Sequence, residues 1–68
     1  MAILPDQVRD LESALWETES FNPPLTDRQI SIYIYTLAEG MNPVRKVDVD
    51  RFLDERGLPV IDRLPWQY

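Results

Sequence analysis

Leu4, Val8, Leu11 and Leu15 recur at helical spacing and form one apolar stripe. Pro5 suits the first turn of such a helix, where its missing N–H would have no partner in any case. Asp6 then sits near the positive end of the helix dipole. The opposite face carries Asp10, Glu12, Glu17 and Glu19. The pattern predicts a helix over residues 5–20. Trp16 lies off the stripe, so it either widens the buried face or stands exposed for a partner.

The second periodic stretch has the sharpest boundaries in the chain. Asn22-Pro23-Pro24 breaks the first helix. Thr26-Asp27-Arg28-Gln29 then reads as a capping box, with Leu25 and Ile30 placed for a hydrophobic staple around it. Gly40 reads as a C-terminal stop in the left-handed conformation. Between these signals Ile30-Ser31-Ile32-Tyr33-Ile34-Tyr35-Thr36-Leu37-Ala38 is β-branched and aromatic, and by propensity alone it is a strand. The caps and the length favour a helix over residues 27–39. Apolar residues fall on nearly every side of it, which makes it the central element or gives it one face for a partner.

The third stretch has two readings. Asn42-Pro43 offers a cap and an N1 proline for a helix from residue 43 to 56. Alternatively Val44–Val47 is extended and Asp48 caps a short helix ending at Arg56. Phe52 and Leu53 face inward in both. Gly57 stops the helix, and Leu58-Pro59 follow as such a stop allows. Residues 1–57 therefore read as a three-helix domain and residues 58–68 as a tail. Six of the tail's eleven residues are apolar or aromatic, and two prolines bar a regular helix. Such a tail either straps the core or docks elsewhere, and Trp66 and Tyr68 are of the types enriched at binding hot spots.

Composition narrows the chemistry. A 68-residue chain has room for one core. Its 44% hydrophobic content is that of an ordered domain. It has no cysteine and no histidine, which removes disulfides, thiolate nucleophiles, imidazole bases and the usual structural zinc site. Gly40 and Gly57 are its two glycines, so no Gly-rich phosphate loop exists. Asp48, Asp50 and Asp54 invite a calcium reading, but Phe52 and Leu53 stand where the EF-hand loop needs an oxygen ligand and a glycine. No metal, cofactor or catalytic residue is predicted. No segment approaches the roughly 18 apolar residues that span a bilayer, and the N-terminus lacks a basic region and long apolar core. A cytoplasmic protein without a membrane partner is the expectation.

Charge divides the chain. The formal net charge is −5. Residues 1–20 hold five acids against Arg9 alone, whereas residues 42–68 balance five bases with five acids. Asp6, Asp10, Glu17 and Glu19 make an acidic face that could orient a partner or imitate nucleic acid. The alternative is a helix-turn-helix DNA binder presenting Arg45, Lys46 and Arg51. Against it, Asp48, Asp50, Asp54 and Glu55 share the recognition helix and would repel phosphates.

Five segments also carry a family likeness. They are Val8-Arg9-Asp10-Leu11, Trp16-Glu17-Thr18-Glu19-Ser20-Phe21-Asn22, the capped Leu25-Thr26-Asp27 before Tyr33-Ile34-Tyr35-Thr36-Leu37, and Val49-Asp50-Arg51-Phe52-Leu53. Residues 8–57 resemble the N-terminal helical domain of phage replicative-helicase loader/inhibitor proteins. That family sets such a domain against a partner protein and adds a longer C-terminal region, which this chain lacks. The resemblance implies a compact helical adaptor from a phage or other mobile element, and it assigns no functional residue.

The expected fold is therefore all-α, with three helices and a proline-containing C-terminal strap. Its expected core is Leu11, Leu15, Ile30, Ile34, Leu37, Phe52 and Leu53. The expected function is a non-enzymatic adaptor or inhibitor that occupies a surface of a larger protein. Its contact would be an aromatic patch drawn from Trp16, Tyr33, Tyr35, Trp66 and Tyr68, with an acidic rim. The alternatives are the DNA binder and a structural subunit of a larger assembly. With no disulfide or metal, either a partner or a second copy of the chain is expected as a source of extra burial.

Overall fold

The computed structural model describes residues 4–41 and 44–66. Among them run three α-helices and no strand: α1 (Pro5–Thr18), α2 (Asp27–Glu39) and α3 (Lys46–Glu55). The chain is an all-α three-helix domain. α2 packs against both α1 and α3, which is why apolar side chains are spread so widely around it.

The three helices begin alike. The N–H of the residue before each helix donates to the side chain three residues on. Leu4 N bonds Gln7 Oε1 at 3.2 Å, Thr26 N bonds Gln29 Oε1 at 2.9 Å and Arg45 N bonds Asp48 Oδ2 at 3.0 Å. At α2 the bond is reciprocated, with Gln29 N donating to Thr26 Oγ1 at 3.2 Å. This is the capping box read from the sequence. Neither expected start of α3 is correct. Asp48 reaches back to the Arg45 N–H from inside the helix instead of capping one that follows it. Residues 42 and 43, on which the longer reading rested, lie outside the described residues.

The helix ends differ from one another. Gly57 has φ +74°. Its N–H donates to Asp54 O at 3.1 Å, and Leu58 N donates to Leu53 O at 3.0 Å. That pair of bonds is a Schellman stop, and it directs Leu58 onto the core. Gly40 is not left-handed as expected, since its φ is −86° and its ψ 0°. α2 tightens there into a 3₁₀-type turn, with Gly40 N on Leu37 O at 3.2 Å and Met41 N on Ala38 O at 3.0 Å. α1 stops at Thr18, two residues earlier than expected, through similar bonds from Glu19 and Ser20.

Leu11, Ile34, Phe52 and Leu53 are buried as expected. Leu15 and Ile30 are half-buried, and Leu37 is exposed. The buried stripe of α2 is Ser31, Ile34, Tyr35 and Ala38. Ile30 and Leu37 are seven residues apart and share a flank of that stripe. Val49 from α3 and Ile61 and Leu64 from the tail complete the core.

The tail follows α2 and is bonded to it. Ser31 Oγ donates to Pro59 O at 2.7 Å, Ile61 N donates to the Tyr35 hydroxyl at 3.2 Å and Trp66 Nε1 donates to Glu39 Oε1 at 2.8 Å. With Ile61 and Leu64 buried as well, residues 58–66 are a strap over the helices.

Candidate functional site

The structure separates the five aromatic candidates. Tyr35 is 2% exposed and belongs to the core, contrary to its expected role as a partner contact. Its hydroxyl donates to Asp50 and accepts from Ile61 N–H, and Lys46 Nζ lies 5.3 Å from its ring centroid. Burial pushes the phenol up to about 12, and the hydrogen bond to Asp50 adds to the rise. Tyr33 is half-buried, with Phe21 against it edge-on at 5.7 Å. Trp66 is partly covered and bonded to Glu39. Tyr68 lies outside the described residues. Trp16 is 71% exposed, the most exposed large hydrophobic side chain among the described residues.

The rotation of α1 explains that exposure. Its buried residues are Leu11, Ala14 and Thr18, not the expected stripe of Leu4, Val8, Leu11 and Leu15. Leu4 is exposed, and Val8 and Leu15 are half-buried. Small side chains at positions 14 and 18 turn inward. The Thr18 hydroxyl is satisfied by Leu15 O at 2.6 Å, so its burial leaves no orphan donor. Trp16 is two residues from both Ala14 and Thr18, about 200° around the helix from each. A rotation that buries those two must present the indole to solvent.

Beside the indole runs an open groove of about 360 Å³. Leu15 and Trp16 of α1, Ile30 of α2 and Leu58 after α3 supply its apolar surface. Glu12, Glu19 and Arg56 supply its polar surface. Arg56 is held in place from three directions. Its Nη2 is 2.7 Å from Glu12 Oε2, its Nη1 donates to Phe52 O at 3.1 Å, and its guanidinium lies 3.8 Å over the Phe52 ring. The guanidinium thus joins α1 to the end of α3 and fixes one wall. Sequence reasoning missed Arg56 and Leu58 as groove residues, because Glu12 and Arg56 are 44 positions apart and no local pattern pairs them.

The acidic candidates all face solvent: Asp6, Asp10, Glu17 and Glu19 are exposed. Asp6 lies 4.0 Å from Arg9. Among the described residues no cation is within ion-pair distance of Asp10, Glu17 or Glu19. The basic candidates do not form a bare patch. Arg45 and Arg51 are exposed, but Lys46 is half-buried and bonded to both oxygens of Asp50, at 3.1 and 3.3 Å. No protein-family model, curated protein or solved structure matches this chain. Among the described residues no helix is long and apolar enough to cross a membrane.

Proposed function

We propose that this chain is a non-enzymatic protein-binding adaptor or inhibitor that occupies a surface of a larger protein through the Trp16 groove. The exposed indole carries the reading. A large aromatic side chain left in water beside a half-buried apolar floor is the kind of anchor that dominates binding energy at protein interfaces. The floor is Leu15, Ile30 and Leu58, which are only half-buried in the isolated chain. The resemblance of residues 8–57 to phage helicase loader/inhibitor proteins supports a compact domain that works against a larger partner. DNA binding is disfavoured by the engagement of Lys46 with Asp50 and by the net acidity of α3.

The test compares wild type with Trp16→Ala in affinity capture from the cells that produce the protein. Trp16 is 71% exposed, so Ala at that site should leave the circular dichroism and urea melt within about 0.5 kcal/mol of wild type. Proteins retained by wild type and lost with the variant are the expected result. Identical captured sets from two equally folded proteins would contradict the reading.

A further inference from the structure

We infer that the Trp16 groove takes a basic peptide segment of its partner, one that seats a large apolar side chain between lysines or arginines. This rests on the docking reading above and names the chemistry of the occupant. The apolar half of the argument is the floor of Leu15, Ile30 and Leu58 with the Trp16 indole at its edge. At about 360 Å³ the groove is at the small end of ligand pockets, which run to about 300–1,000 Å³, and suits a side chain or two from a larger body.

Charge selects the occupant. The one cation in the groove wall, Arg56, is already paired with Glu12 at 2.7 Å. Glu19, on the same wall, has no cation within reach among the described residues. Arg9, the one base of residues 1–20, is answered by Asp6. A partner docking here therefore meets uncompensated negative charge, which attracts Lys or Arg at the rim and repels Asp or Glu. A second copy of the same face is a poor occupant. A two-fold interface sets a patch against itself, which would bring the unpaired Glu19 wall of one copy against the same wall of the other.

The test is selection of a displayed library of random peptides on the full chain, with clones that also bind Trp16→Ala discarded. The expected result is Trp16-dependent clones rich in Lys and Arg around a Leu, Phe or Trp. Their affinity should fall about tenfold with Glu19→Lys and weaken as salt is raised. Trp16-dependent clones that are neutral or acidic would overturn the charge inference and leave the docking reading standing. Selection that yields no Trp16-dependent clone would overturn both. Sedimentation of the free chain is the second readout, and a dimer abolished by Trp16→Ala would overturn the basic occupant in favour of a second copy.

Discussion

Replacing Tyr35 by Phe keeps the buried ring and removes one oxygen. That oxygen donates to Asp50 and accepts the Ile61 N–H at 3.2 Å, so it ties α2 to α3 and to the strap. Without it the N–H of Ile61, a residue 3% exposed, has no partner. A buried donor left unmade costs about 1–3 kcal/mol. Asp50 loses less, because Lys46 remains 3.1 Å away and the carboxylate side chain is 30% exposed to water. The expected loss is about 2 kcal/mol, against the roughly 3–5 kcal/mol that a single core of this size supplies. A urea melt followed by circular dichroism should show the midpoint falling by about half with the slope unchanged. The melting temperature should fall by roughly 8–16 °C, taking about 4–8 °C per kcal/mol for a small domain. Amide exchange at Ile61 should accelerate ahead of exchange in the helices. A loss below about 0.5 kcal/mol would refute the role given to this hydroxyl, because only an unburied or re-satisfied N–H would cost so little.

Three further outcomes follow from particular contacts. The Tyr35 phenol is pushed up to about 12 in the fold, against about 10 in the unfolded chain. The folded state thus holds that proton more tightly. Its contribution is complete below pH 10 and is lost as pH rises through 12, at up to roughly 1.4 kcal/mol per pH unit. Urea melts across that window should be less pH-dependent in Tyr35→Phe, and equal slopes would count against the phenol as the cause. The two glycines should respond oppositely to alanine. Gly57→Ala forces a side chain into φ +74° and should cost about 1–2 kcal/mol. Among the described residues Gly40→Ala meets only Leu37 O, at 3.8 Å, and should stabilise by about 0.4–1 kcal/mol. Thermal melts of both variants check the sign. Deleting residues 58–68 exposes the sites of Ile61 and Leu64, each worth about 1.5–3 kcal/mol of burial. The loss matches the stability of the whole core, so residues 1–57 alone should show no cooperative melt, and a helical cooperative melt would overturn the strap.

What could be read in the sequence was what local chemistry encodes. The Thr26–Gln29 cap fixed the start of α2 against a strand-like composition, because backbone groups at a helix end need partners that this pair supplies. Gly57 was legible for the same reason. The start of α3 was not, since an aspartate three residues inside a helix and one capping it look alike in a single sequence. The burial of Tyr35 depended on Asp50, Lys46 and Ile61, all distant along the chain. Phenols at 33 and 35 are equivalent by type, and only α3 and the strap distinguish them. The candidate site was half legible. Trp16 stood off the apolar stripe in the sequence, but its degree of exposure came from the inward turn of Ala14 and Thr18, which a stripe of large residues conceals. The groove beside it is tertiary throughout, assembled from α1, the start of α2 and the turn after α3.

A photo-crosslinking side chain placed at position 16, in the cells that make the protein, tests the docking surface most directly. The same probe at Asp54, an exposed position on α3, is the control. If the groove seats a partner, irradiation gives a discrete heavier adduct from position 16 and none from position 54. No adduct from either position, or the same adducts from both, would contradict the assignment of this groove as the place where the chain meets another protein.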